Sequence, residues 1–331
     1  MSSLRWGFLG AGNISWSAMG PAVRAAAGAE LVAVAARDMS RAEDFAAEFG
    51  AARAFDAYED VLADPDIDAV YIGLANDAHE PWATAALASG RHVLCEKPLG
   101  LSAAEVDIMT AAADLAGRRL VEASWYHWHP RIRRAAALVE EGAIGPIRHV
   151  SAGLSFPGLP PGNFRLAPAH GGGALYDVGC YAISAVLWAM GGDMPDEVAA
   201  RARRSDTGVD EQTEAILTWD DGRSAEVRVS MAEPFRQWLV ITGESGEIEL
   251  PGRPYTEKEE PTELLLSDGR DTQRLQIPGA NAYQIMVEEV SSALLGGSGW
   301  LLPLERSRAT AVLIDACLTS AGSGGTPVRG R

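Results

Sequence analysis

The stretch GFLGAGNIS, residues 7–15, decides how the first third of the chain folds. It closes an apolar run, LRWGFLGA (4–11), and opens an alanine-rich one, SAMGPAVRAAAGA (17–29). The order is strand, glycine turn, helix. Gly10-x-Gly12-x-x-Ser15 has the spacing in which glycines permit a tight turn and let a pyrophosphate approach the backbone. The helix N-terminus that follows favours the phosphate charge. Gly10, Gly12, Asn13 and Ile14 are therefore candidate cofactor contacts. Ser15 stands where a third glycine is usual, which predicts slightly wider helix packing. A simple turn is the bland alternative; the second strand that follows the helix argues against it.

Outward from the loop the pattern repeats. ELVAVAARD (30–38) reads as a strand and SRAEDFAAEFG (40–50) as a helix with Ser40 as N-cap. AVYIGLAN (69–76), HVLCEKP (92–98) and RLVEASWYHW (119–128) read as strands. Between them HEPWATAALASG (79–90) ends at Gly90, and SAAEVDIMTAAADLAG (102–117) is capped by Ser102 with Glu105. Continuous apolar strands alternating with helices indicate a parallel sheet covered on both faces. The fold class is α/β: a doubly wound Rossmann domain over residues 1–123, then an α+β domain over 124–331. In the latter, IRHVSAGLSF (147–156), VAARARRS (198–205), EQTEAILTWDDGRSAEVRVSMA (211–232), RQWLVITGESGEIELPG (236–252) and ELLLSDGRDTQRLQIP (263–278) alternate with period two. DDGR and SDGR mark hairpins. A large, mainly antiparallel sheet follows, with helices over 131–142, 175–192, 282–297 and 304–322.

The chain has 331 residues, and its formal charge of −17 disfavours nucleic acid and anionic membrane as partners. No apolar run reaches the length of a membrane span. No secretory signal is visible at the N-terminus, and Cys95, Cys180 and Cys317 form no framework, so a reduced, cytoplasmic location is expected.

Basic side chains are arginines, except for Lys97 and Lys258. Lys97 falls at the C-terminal end of a strand, where open α/β sheets bind ligands. An ammonium shifts its pKa on burial as a guanidinium does not. Glu96 is placed to steer it. At the end of the second strand an NAD site would show an acid for the ribose. Here Ala36 is followed by Arg37, whose guanidinium suits the 2′-phosphate of NADP; Asp38 leaves NAD open. In HGGGALYDVGCYAIS (170–184), Asp177 and Tyr181 lie four apart on one expected helix face. An acid and a phenol there suit proton transfer to or from a hydroxyl. His127 and His129 are spaced like strand neighbours, but no third ligand is evident, so no metal is expected.

GFLGAGNIS, CEKP and GGGALYDVGCY together resemble the Gfo/Idh/MocA oxidoreductases, within them the dimeric dihydrodiol dehydrogenase and NADP-dependent D-xylose dehydrogenase branch. The resemblance runs over nearly the whole chain, to AYQIM at 282–286. It implies hydride transfer between NADP (or NAD) and a sugar, polyol or cyclic diol, with Lys97, Asp177 and Tyr181 catalytic. Tyr181 stands where many relatives carry histidine. Either Tyr181 takes the hydroxyl proton beside the Lys97 charge, or Lys97 takes it directly. Glu96 and Lys97 of the CEKP segment, with Asn76 and His79, are implied near the cofactor, although His79 serves equally as a helix-start residue. Trp125, Arg165 and Tyr283 are candidate substrate contacts, each with a packing or salt-bridge alternative. The resemblance also implies that the open sheet pairs two copies, in a homodimer or higher homo-oligomer. Two alternatives stand beside it: a reductase of a keto-sugar such as anhydrofructose, and a catalytically silent NADP-binding regulator.

Overall fold

The computed structural model describes residues 3–256 and 259–330, so Lys258 lies outside the described residues. The chain divides into two compact units. The first comprises residues 1–100, 104–128 and 281–304; the second comprises 101–103, 129–280 and 305–331.

The first unit is built on β1 (Leu4–Leu9), β2 (Ala29–Ala35), β3 (Arg53–Phe55), β4 (Ala69–Ile72), β5 (His92–Cys95) and β6 (Leu120–Glu122). All pairings are parallel, in the order β3-β2-β1-β4-β5-β6. The order reverses between β1 and β4, where a doubly wound sheet opens its ligand crevice. β4 is buried at every position, as a strand covered on both faces must be. Six strands form rather than five; β3 is three residues long and too short to show a period. Far along the sequence, the helix Ala282–Leu294 returns to this unit, where Trp6 Nε1 donates to Ser291 Oγ at 3.1 Å in the core.

Local readings hold in part. Gly90, at φ 82°, follows the helix His79–Ala88 as its left-handed terminator. The helix Met39–Phe49 is capped by Asp38 rather than Ser40. Asp38 Oδ1 accepts from the backbone N–H of Ser40 at 3.0 Å and of Arg41 at 3.4 Å. Both residues are good caps, and a two-residue offset separates them. The expected strand 119–128 stops at Glu122; Trp125–Trp128 form a 3₁₀ turn instead. His127 and His129 are thus not strand neighbours. His129 Nδ1 accepts from Arg131 N–H at 3.1 Å and caps the helix Pro130–Glu140.

The second unit carries β7 (Ile147–Pro157), β8 (Glu197–Arg204), β9 (Asp210–Thr218), β10 (Ser224–Ser230), β11 (Ala232–Gly243), β12 (Glu247–Glu249), β13 (Thr262–Ser267), β14 (Thr272–Ile277) and β15 (Val328–Arg329). Their order is β14-β13-β12-β11-β7-β10-β9-β8-β15. Only β7–β10 is parallel; the remaining pairs are antiparallel. DDGR and SDGR turn the β9–β10 and β13–β14 hairpins. The helix Cys180–Ala189 is buried at all its positions, which fits an apolar surface all round. It packs on β7, β10 and β11.

Candidate functional site

In the first unit the glycine loop sits between β1 and its helix, at the C-terminal edge of the sheet. Gly10 has φ 99°, and a Cβ there would lie 2.7 Å from the Gly73 carbonyl oxygen. No other residue fits that position. A Cβ on Gly12 would meet only the Gly73 oxygen, at 3.6 Å. Among the described residues nothing else crowds Gly12, which leaves room for a ligand to approach the backbone. Asn13 is exposed and Ile14 half-buried beside it. Ser15 is fully buried and its Oγ donates to the Gly10 carbonyl at 2.7 Å. The small residue that closeness requires is supplied by Gly73, whose added Cβ would come within 3.0 Å of Ser15 Oγ. The helix itself begins with a π turn, in which the Gly20 N–H reaches the Ser15 carbonyl. Pro21 then sits in the first turn of the α-helical part, where its missing N–H is harmless.

At the end of β2, Arg37 is exposed and makes no hydrogen bond or ion pair among the described residues. Arg41 Nε donates to the Ala11 carbonyl at 2.7 Å, joining the helix to the loop. Burial raises the Tyr58 pKa, and the charges of Arg37 and Arg41 oppose that rise. Asp38 spends one carboxylate oxygen on the helix cap. These residues fit a dinucleotide: an open glycine loop, and an unengaged guanidinium where a 2′-phosphate would be met.

Strand β5 ends at Cys95, and Lys97 lies in the loop just beyond, half-buried. Glu96 is 6% exposed. Its Oε1 accepts from the Tyr71 hydroxyl at 3.0 Å and its Oε2 from the Lys97 backbone N–H at 3.3 Å. Burial pushes the Glu96 pKa up to about 7, against the pull of Lys97 and of the Tyr71 bond. His79 is wholly buried, so it presents no surface to a ligand. Its ring nitrogens face the carbonyls of Pro98 at 2.9 Å and Leu74 at 3.3 Å, and so it fastens the segment after Lys97. Burial lowers its pKa, which the two carbonyls resist. Asn76 is buried in the 3₁₀ turn just before it. Trp125 and Tyr283 stack at 4.4 Å with their planes 17° apart, nearly buried, so each shows a ligand little more than an edge.

In the second unit, Gly171, Gly172 and Gly173 each answer a constraint. Gly171 has φ 65° and Gly173 φ 128°. A Cβ on Gly172 would lie 2.5 Å from the Arg165 carbonyl oxygen, and one on Gly173 would run into Asp210 Oδ1. Asp210, 2% exposed, accepts from the Leu175 N–H at 2.9 Å and the Thr213 hydroxyl at 2.8 Å. It anchors the start of the helix that carries Asp177 and Tyr181. That helix does not begin as a regular α-helix. Leu175–Gly179 is a π turn, with the Cys180 N–H reaching the Leu175 carbonyl. Such insertions recur at functional sites. Asp177 Oδ1 accepts from Arg165 Nε at 2.7 Å, so the salt-bridge reading of Arg165 holds. Its guanidinium also lies over the Phe164 ring, and its terminal nitrogens make no other bond among the described residues. Tyr181 is 7% exposed and its ring lies 6.1 Å from that of Tyr255.

Sequence reasoning missed Tyr71, Glu122 and Asp210. Glu122 is buried at the end of β6 and accepts from the Leu99 N–H at 3.1 Å. Its place one strand from the CEKP segment was the available signal. Among the described residues no group of three or more His, Cys, Asp or Glu side chains is placed to hold a metal, and no helix is long and apolar enough to cross a membrane.

Comparison with known proteins gives two family-model matches. Residues 4–124 match the oxidoreductase family with an NAD-binding Rossmann fold, and residues 132–249 match the GFO/IDH/MocA C-terminal domain. A D-xylose 1-dehydrogenase (NADP(+)) of Haloferax volcanii is 36% identical, covering 97% of this chain and 98% of its own. A trans-1,2-dihydrobenzene-1,2-diol dehydrogenase of Bos taurus is 33% identical over 80% of this chain and 78% of its own. Among solved structures, a 3-ketoreductase from Actinomadura kijaniata in complex with NADP and TDP-benzene superposes with a TM-score of 0.90 at 30% identity, covering 96% and 98% of the two chains. Solved forms of that reductase include one with a lysine changed to alanine and one with a tyrosine changed to phenylalanine. Those two positions stand 84 residues apart, the separation of Lys97 and Tyr181 here. With both domain models matched in order and relatives aligned from end to end, this chain belongs to the Gfo/Idh/MocA family of NAD(P)-dependent oxidoreductases.

Proposed function

We propose that this protein is an NADP-dependent dehydrogenase of a sugar, polyol or cyclic diol hydroxyl, with Lys97, Tyr181 and Asp177 as its reacting set. The observation that carries the reading is the support around Lys97. Glu96, Tyr71 and His79 fasten the segment of a lysine that lies just past a strand of the cofactor sheet. Relatives named for D-xylose and for a dihydrodiol support the substrate class. The NADP preference rests on Arg37, which is unengaged while Asp38 serves as a cap. A bound nicotinamide supplies the hydride acceptor. Gly10, Gly12, Asn13 and Ile14 hold the pyrophosphate, and Arg37 meets the 2′-phosphate. Asn76 and Glu96 shape the cofactor edge of the site, and His79 supports it from behind through Pro98. The stacked pair of Trp125 and Tyr283 keeps water from the reacting carbon. Tyr181, favoured as a phenolate by the Lys97 ammonium, accepts the hydroxyl proton and becomes a neutral phenol; the direct alternative gives that proton to Lys97 as the neutral amine. Asp177 aims Arg165, whose terminal nitrogens donate to substrate hydroxyls.

The same residues serve a keto-sugar reductase run in the opposite direction, and a relative named as a 3-ketoreductase favours testing it. A panel of aldoses, polyols, cyclic diols and keto-sugars, followed by nicotinamide absorbance with NADP and NAD separately, decides among the readings. Turnover of a panel member with NADP is expected. Tight NADPH binding with no turnover on any member would make the protein a silent regulator.

We also place the protein in the cytoplasm as a homodimer. Cys95, Cys180 and Cys317 are all free thiols, which suits a reducing compartment. On the second unit's sheet, exposed Ile216 lies on a face that also carries the ion pairs of Arg228 with Glu214 and Glu233. A second copy covering that face would bury both. Light scattering on the purified protein tests this, and a monomer at micromolar concentration rejects it.

A further inference from the structure

Tyr71 is fully buried on β4, and a buried phenol hydroxyl needs an acceptor. It finds the Glu96 carboxylate, one strand over and one residue beyond the end of β5. The other oxygen of that carboxylate turns back onto the Lys97 peptide. The arrangement is a side-chain brace from one strand to the residue after its neighbour. It lies outside the backbone ladder of the sheet, so pairing of β4 with β5 does not require it. We propose that Tyr71 and Glu96 are positioning residues for Lys97, bracing its peptide and setting the charge beside its ammonium. The inference rests on the reading of Lys97 as a reacting group.

Among the described residues, few groups face Glu96. Tyr71 comes from β4, Glu122 from the end of β6, and Cys95 and Lys97 from its own segment. His79 reaches the Pro98 carbonyl from the neighbouring helix, and Tyr283 acts on Tyr71 from the helix Ala282–Leu294. Burial and Glu122 raise the Glu96 pKa to about 7, while Lys97 and the Tyr71 hydroxyl oppose the rise. The carboxylate therefore exchanges its proton near neutral pH, and the charge beside Lys97 changes with it.

The test is the pH profile of kcat for the best substrate, with NADP affinity measured alongside. The wild-type protein is expected to show an inflection near pH 7. Glu96→Gln keeps the size of the side chain and one acceptor oxygen but has no titrating charge, so the inflection disappears. Tyr71→Phe removes a bond that stabilises the ionised form, so the inflection moves up by about one pH unit. A merely structural role would lower kcat by one factor across all pH values. Wild-type profiles in both variants would overturn the inference; if Glu96→Gln does not fold, Tyr71→Phe decides alone. Lys97→Met separates the two levels. Wild-type turnover in that variant removes the reading of Lys97 and this inference with it. Lost turnover there, with unmoved profiles in the other two, removes only the inference.

Discussion

Replacing Glu96 with glutamine should stabilise the protein in alkali and leave it unchanged in acid. The carboxyl is 6% exposed and its pKa moves from 4.5 to about 7. Each unit is worth about 1.4 kcal/mol, so the folded state disfavours the ionised form by about 3 kcal/mol. The folded pKa is raised, so the favourable contribution of the neutral form is complete below about pH 4.5. It is lost as pH rises through about 7. Glutamine never ionises. Its one carbonyl oxygen accepts from the Lys97 N–H or the Tyr71 hydroxyl, much as the protonated carboxyl would, so the variant stands in for the neutral form. At pH 8 Glu96→Gln should therefore be more stable than wild type by up to about 3 kcal/mol. That corresponds to a midpoint roughly 6 °C higher for a chain of this size. At pH 5 the difference should shrink to a small fraction of that. Matched thermal melts of the two proteins between pH 5 and pH 8 measure it. A gap of the same size at both ends, or a destabilised variant at pH 8, would refute the reasoning.

Other perturbations follow from the same geometry. Arg37→Ala should weaken NADP by roughly 10- to 100-fold, from loss of a charge-assisted bond of about 1.5–3 kcal/mol, and leave NAD unchanged; fluorescence titration with each nucleotide reads this. Arg165→Met removes the bond from Arg165 Nε to Asp177 Oδ1 and should raise KM for polyols more than it lowers kcat, which initial rates on the best substrate will show. Gly173→Ala forces a Cβ into Asp210 Oδ1 at a φ of 128°. It should destabilise the protein by about 1–3 kcal/mol, visible in denaturant melts of the variant.

Much of this was legible because it is local. The glycine loop, the apolar parallel strands and the period-two strands with their DG turns each announce themselves within a dozen residues. The bracing of the site is not local. Tyr71 looks like one more core residue of β4 until β5 is laid beside it, and Asp210 until the GGG turn reaches it. The return of Asn281–Leu304 to the first unit rests on contacts such as Trp6 with Ser291, which no window of sequence contains. The π turns at Ser15–Met19 and Leu175–Gly179 keep the composition of α-helix, so only hydrogen-bond geometry reveals them. Asp38 took the cap from Ser40 because both are good caps.

The proposed chemistry has Lys97 and Tyr181 acting on one substrate hydroxyl. The most direct measurement is kcat with the best substrate, together with NADP affinity, for Lys97→Met and Tyr181→Phe. Each variant should lose about 10²–10⁴-fold in turnover while binding NADP as the parent does. Turnover at the parent's rate in either variant would contradict it.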